Sequence, residues 1–456
     1  MKNLLTLLVI LFSSIAYGQI NYQYFLKAEV ESDLDYLAEK VSAIHPIMLD
    51  QEKSNWWQNQ VAELKSSLPD SLTKNDCYLL FSRLIANIED GHTGIQIPFD
   101  QRKEYSQSGG LSFPFLVSIE DGSLFIDYYL GNDSTLFEGG EEILQINGED
   151  VKDMISEMES LFGDASSHIR QNQVAYYFRF LTWIVYGWEA NYDMLITDRS
   201  HPLKRVQVDG ISSTEFLKSV KRSSSKKYQQ FDLTIDESKS TALMKIKFFG
   251  DLDEFCTFAD TSFSLIGKQN IQNLIIDVRE NGGGRSVVVD SLMNYLTDQS
   301  YAQYQLIETR ISRDLLEYYK TKYPETYEQI KSTPIDSLQL LPVQIKLPPP
   351  KNNRFKGNLY VLTDKGTYSA AATFAGVIKE WGLGALIGEE TGGTIEYYGD
   401  YWMHQTPVMN LSFYISPKKF TQFGGVDVNK GVKPDYELND KSDMILKFTF
   451  DLISNI

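Results

Sequence analysis

The chain has 456 residues, 42% of them hydrophobic and 13% aromatic, with 61 acidic against 43 basic side chains and a net charge of −18. That length predicts two or three domains, and the apolar content excludes a chain disordered throughout. The acidic balance excludes a nucleic-acid partner, whose phosphates need a basic footprint.

The first eighteen residues read as an export signal. Lys2 gives the positive start, 4–15 an apolar core, and Ala16-Tyr17-Gly18 a small-x-small cleavage site before Gln19. The apolar run is short for a membrane span, and no later stretch is long and apolar enough for one. The expected product works in the periplasm or outside the cell and does not span a membrane. Cys77 and Cys256 are left to pair with each other or to stand as two buried thiols. Neither has metal-ligand spacing, and no cofactor is implied.

Residues 19–100 read as a small helical bundle. Leu34, Leu37 and Val41 recur at helical spacing, 55–68 forms a second helix, and Leu79, Leu80, Ile85 and Ile88 mark a third. The third runs into Glu89-Asp90-Gly91-His92-Thr93-Gly94, with Gly91 placed to stop it. Residues 110–212 change character. Strands at 111–117 and 124–130 flank Asp121-Gly122, a hairpin signal, and a third strand at 141–147 precedes Gly148 and a helix at 151–161. The segment 139–148 resembles the central strand and turn of a PDZ domain, which implies binding of an extended peptide at a sheet edge. A small α+β packing module is the plain alternative. The aromatic block 174–188 is foreign to an ordinary PDZ domain.

A Ser/Lys-rich linker at 219–227 leads to a third region, 228–456. Strand patterns at 241–249 and 273–278 alternate with an amphipathic helix at 255–265 and another carrying Val289, Leu292, Met293 and Leu296. Repeated βα units predict a parallel or mixed sheet covered by helices. The charged, Tyr-rich insert 301–354 is too long for a simple connection and reads as a lid or an added helical pair.

Two loops in this region carry chemistry. The apolar run 359–362 breaks at Asp364 and Gly366, and a helix then begins at Ser369, with Phe374, Val377, Ile378 and Trp381 on one face. Ser369 is either an ordinary N-cap or a nucleophile. The free N–H groups and dipole of a helix start favour the oxyanion of an acyl intermediate. The second loop is Asn281-Gly282-Gly283-Gly284. No Gly-Lys-Ser/Thr follows it, so it is no phosphate loop. Beside a serine nucleophile, the Gly283 or Gly284 amide would pair with that of Ala370 as an oxyanion hole. A base is needed too. Of five histidines, His45 and His201 precede prolines in turns, His404 lies among aromatics, and His92 projects from a helix-stop loop.

Together 273–284, 359–372, Ile387-Gly388-Glu389-Glu390-Thr391-Gly392-Gly393 and Gly431-Val432-Lys433-Pro434-Asp435 resemble the S41 family of serine peptidases, of tail-specific and tricorn-core type. With Asp90-Gly91-His92-Thr93 and the PDZ-like segment, the resemblance covers most of the mature chain. It implies an α/β multidomain fold: a helical domain, a PDZ-like module and a crotonase/ClpP-like α/β catalytic core. It also implies an exported serine endopeptidase acting on peptides or unfolded proteins. Tail-processing members activate their serine with a lysine after Thr-x-Gly, but no lysine occurs between Lys379 and Lys418. The tricorn-like branch uses an N-terminal histidine, matched by His92, and a C-terminal acid, for which Asp427 stands and Asp435 is the alternative. Gly91 replaces the serine that precedes the tricorn histidine. A catalytically inactive scaffold that binds peptides or hydrophobic ligands is the rival reading.

Overall fold

The computed structural model describes residues 23–131, 137–197, 203–223, 229–341, 343–438 and 444–455. The export signal expected at 1–18 lies outside these residues, as does His201. Among the described residues no helix is long and apolar enough to cross a membrane.

Three helices open the chain: Lys27–Ile44, Gln51–Ser67 and Lys74–Ala86. In the first, Val30, Leu34, Leu37, Val41 and Ile44 form a fully buried stripe at the spacing that keeps one helix face inward. The starts are set by side chains. Asp50 Oδ1 accepts the Lys53 N–H at 2.9 Å, and Thr73 and Asp76 cap each other's backbone. The third helix stops at Ala86, before the 89–94 stretch in which Gly91 was expected to end it.

The next region is an antiparallel sheet ordered Phe115–Glu120, Ser123–Tyr129, Glu142–Ile146, Asn191–Thr197, Lys204–Asp209. Its first hairpin turns on Asp121 and Gly122, both at positive φ (47° and 78°), as the twist of paired strands demands. The aromatic block becomes the helix Ser167–Tyr186, which buries Phe178, Phe180, Leu181 and Trp183. One hydrophobic cluster runs through the helices, this sheet and Met409, Leu411, Phe413 and Ile415.

The core sheet is ordered Phe231–Asp236, Thr241–Ile246, Asn273–Asp277, Asn358–Thr363, Ala385–Gly388, Tyr436–Glu437. The first strand is antiparallel to its neighbour and the remaining pairings are parallel. Helices Leu252–Lys268, Ser286–Leu296 and Ala370–Glu380 share one apolar layer with it. Met444–Ser454 packs through Ile445 against Leu243, Ile275, Tyr360, Leu362 and Ile387 on the other face. This is the βα arrangement that the alternating pattern predicts.

The 301–354 insert contributes more than a helical pair. Helices Arg313–Lys322 and Pro324–Ile330 form, but the strand Tyr304–Ile311 pairs antiparallel with Ser337–Leu341 on one side and Lys418–Gln422 on the other. A last sheet joins distant parts of the chain. Gly94–Ile95 pairs with Ser412–Ile415, which also pairs with Trp402–Gln405.

Candidate active site

Ser369 sits where the strand Asn358–Thr363 gives way to the helix Ala370–Glu380. The turn between them is tied to the neighbouring loop. Asp364 Oδ1 accepts the N–H groups of Gly366 and Glu280 at 2.9 Å each. Thr367 Oγ1 donates to Val278 O at 3.0 Å, and Tyr368 N donates to Asn281 O at 2.9 Å. These bonds hold Ser369 at φ 51°, ψ −124°, a backbone state that costs a residue with a side chain about 1–3 kcal/mol. Its side chain makes no capping hydrogen bond, so it does not behave as an ordinary N-cap.

Two glycines press on this elbow. A Cβ on Gly283 would lie 2.7 Å from Ser369 Cβ, and one on Gly393 would lie 2.9 Å from Ser369 N. Asn281 shapes the glycine loop: fully buried, it donates from Nδ2 to Ile246 O at 2.9 Å and accepts the Gly283 N–H at 2.8 Å. The Gly283 amide is therefore engaged within the loop, unlike the oxyanion role expected of it. Phe249 N donates to Gly283 O and Arg285 N to Phe249 O, each at 2.7 Å. That parallel bridge turns the Gly284 N–H away from Phe249. Ala370 is the first residue of the helix that follows Ser369.

His92 reaches the same place from the helical region. Ser416 holds its backbone: Ser416 Oγ donates to His92 O at 2.9 Å and Ser416 N to Thr93 Oγ1 at 3.0 Å. The imidazole stacks on Tyr368, the residue before Ser369, with centroids 5.6 Å apart and planes 11° apart. Tyr397 and Tyr401 complete the surround at 6.0 and 6.5 Å. Tyr397 Oη lies 3.3 Å from Thr373 Oγ1, which in turn donates to Ser369 O at 3.3 Å.

Two buried carboxylates face this junction. Asp90 Oδ1 accepts the His92 backbone N–H at 2.8 Å, and its Oδ2 lies 3.3 Å from His45 Nε2. Burial, the largest influence on Asp90, pushes its pKa up. The hydrogen bond from His45, with smaller effects from His92 and Thr93, outweighs burial and leaves it below the usual value. Asp164 bonds to the Tyr368 hydroxyl. Burial raises its pKa despite that bond, and burial with the Asp164 charge drives the Tyr368 phenol far upward. Gly91 lets the pair approach, because a Cβ there would fall 2.1 Å from Asp164 Oδ2.

The other expected residues lie elsewhere. Asp427 is exposed in a turn, where Oδ1 accepts the Asn429 N–H at 3.2 Å. Asp435 accepts the Leu386 N–H at 2.9 Å and lies 3.3 Å from Lys379 Nζ, linking strand to helix. His404 stacks on Phe413 on an outer strand, and His168 pairs with Glu280 at 3.6 Å. Cys77 and Cys256 are both free thiols. Lys418 is paired with Asp400 at 2.6 Å. Sequence reasoning gave no role to Tyr368 or Asn281, although each adjoins a motif it singled out. It had no signal for Asp164, and it read His45 as a turn residue when it is a fully buried partner of Asp90.

Residues 241–438 match the sequence model of peptidase family S41. A chloroplastic C-terminal processing peptidase of Tetradesmus obliquus is 26% identical over 184 residues, 40% of this chain and 32% of that protein. The chain thus matches about a third of that curated relative's length. Among solved structures, mature CPAF superposes with a TM-score of 0.65 at 14% identity, over 94% of this chain and 98% of that one. Mature CPAF complexed with lactacystin gives 0.65 at 13% identity, over 94% and 97%. The chain therefore has a mixed α/β multidomain fold like that of CPAF.

Proposed function

We propose that the protein is an exported serine endopeptidase with Ser369 as nucleophile and His92 as base. The observation that carries this reading is the near-parallel, offset stacking of the His92 ring on Tyr368, beside a strained serine that makes no capping bond. In this mechanism His92 takes the Ser369 Oγ proton as the oxygen attacks the peptide carbonyl. The carbonyl oxygen becomes an oxyanion held by the Ala370 and Gly284 amides. His92 then protonates the departing amine, and water hydrolyses the acyl-enzyme by the same route. Extended peptides or unfolded proteins suit such a site. The strands Phe115–Glu120 and Lys204–Asp209 end the order of the antiparallel sheet, and beyond the Ser112–Ile211 bridge that joins their flanks such an edge suits a peptide added as a strand.

The test is labelling with a fluorophosphonate, together with hydrolysis of an unfolded protein, for wild type and Ser369→Ala. The expected result is labelling of wild type alone and a loss of hydrolysis of about 10⁴-fold or more in the variant. Equal hydrolysis by both proteins would remove Ser369 from the chemistry. A wild-type protein that neither labels nor hydrolyses would return the chain to a ligand-binding role.

A further inference from the structure

We infer that Asp90, clamped by His45, is the carboxylate that positions His92, in place of an acid near the end of the chain. This rests on the Ser369–His92 reading above. His92 Nδ1 is buried without a hydrogen-bond partner, and Asp90 Oδ1 lies 3.9 Å from it. Among the described residues this is the one carboxylate within ion-pair distance of the ring. A small rotation of the imidazole would bring the two atoms into hydrogen-bond range. With Nδ1–H donating to Asp90, Nε2 carries the lone pair that a base needs.

Asp90 is built to hold still. It is 4% exposed, and its two oxygens are split between His45 and the His92 backbone. The Ile47 N–H donates to His45 Nδ1 at 3.3 Å, so that nitrogen carries no proton. The ring proton is therefore on Nε2 and points at Asp90 Oδ2. Tyr398 packs on the His45 ring at 4.4 Å, and the buried Arg310 donates to His45 O at 2.8 Å. Asp90 is thus oriented by a neutral imidazole, and its charge is directed toward the second imidazole, where positive charge develops during attack.

The other groups around His92 do not compete for Nδ1. Asp164 is bonded to Tyr368, and the phenols of Tyr368 and Tyr397 are buried with pKa values far above the usual one, so they stay neutral. Tyr401 is also near. Asp427 is solvent-exposed and engaged with its own turn.

The test compares kcat, KM and the pH profile of kcat/KM for wild type, Ser369→Ala, Asp90→Asn, His45→Ala and Asp427→Asn, with a melting curve for each. Asp90→Asn should lower kcat about a thousandfold or more with KM little changed. It should also move the acidic limb of the profile to lower pH, because the imidazolium loses a neighbouring negative charge. His45→Ala should lower kcat about tenfold and move that limb the other way, because Asp90 loses a donor and becomes more basic. Asp427→Asn should keep wild-type kcat. If Asp90→Asn does not fold, the His45→Ala profile decides, and an unmoved limb there overturns the assignment. A dead Ser369→Ala beside wild-type kcat and profiles for Asp90→Asn and His45→Ala would reject Asp90 alone. A fully active Ser369→Ala would reject the peptidase reading itself.

Discussion

Of three consecutive glycines, Gly283 is the one that meets Ser369, and a side chain would cost differently there than at Gly282. At Gly282 an added Cβ meets no atom within 4 Å, and φ lies outside the left-handed region. Gly282→Ala should therefore be neutral or stabilise by about 0.4–1 kcal/mol, by restricting the unfolded chain. At Gly283 φ is 101°, and the Cβ would lie 2.7 Å from Ser369 Cβ, 2.8 Å from Tyr368 O and 3.0 Å from Ala370 N. Backbone strain of about 1–3 kcal/mol adds to an overpacking cost of about 1–3 kcal/mol. We expect a total near ~3–4 kcal/mol. At about 2–4 °C per kcal/mol, Gly283→Ala should melt roughly 6–16 °C lower. The clash is relieved by moving the Ser369 elbow, and a displacement of about 1 Å costs on the order of 10²-fold in rate. Differential scanning fluorimetry and the rate of fluorophosphonate labelling read the two effects separately. A Gly283→Ala protein that melts and labels like Gly282→Ala would refute the account of how Ser369 is held.

Gly91→Ala places a methyl 2.1 Å from Asp164 Oδ2 and 2.5 Å from Tyr368 Oη. It should break their bond, destabilise by about 1–3 kcal/mol and lower kcat; unchanged melting and turnover would show that the bond is dispensable. Asp33 is fully buried and accepts the N–H groups of Val408 and Met409 at 2.8 Å each. Asp33→Ala should cost about 3 kcal/mol or more in denaturant unfolding, and a loss under about 1 kcal/mol would contradict the bonding. Burial, and secondarily the charge of Glu280, push the Asp364 pKa up to about 6. A raised carboxyl pKa means the folded state holds its proton more tightly than the unfolded one. Its contribution to stability is present in full below about pH 4 and is lost as pH rises through about 6. Asp364→Asn should flatten that decline in melting curves taken across the window, and a slope equal to wild type would count against it.

The parts of the molecule governed by short-range chemistry were readable in the amino-acid string. Leu274, Ile275 and Ile276 announce a strand buried on both faces, and Asp121-Gly122 a tight hairpin. The turn that presents Ser369 could be read from Asp364 and Gly366. The parts governed by distant encounters were not. Strand Tyr304–Ile311 lies in a charged, Tyr-rich stretch, and its pairing with Lys418–Gln422 has no local signature. Asp164 meets Tyr368 only because the helical region, the antiparallel sheet and the core converge on Gly91. His45, followed by proline, has the look of a surface turn, and only the third dimension reveals it against Asp90. The Gly283 amide was expected to face substrate because nothing in the triplet marks Asn281 as the group that claims it.

The short ladder between Gly94–Ile95 and Ser412–Ile415 has a consequence for biosynthesis. The strand that steadies His92 leaves the ribosome long after the histidine itself, and closing so wide a loop is slow. Until that late strand arrives, Thr93 lacks the Ser416 amide it accepts from across 323 positions. On the peptidase reading, an unfinished polypeptide carries its cutting groups apart and is harmless to itself and to its neighbours until residues 412–416 have emerged.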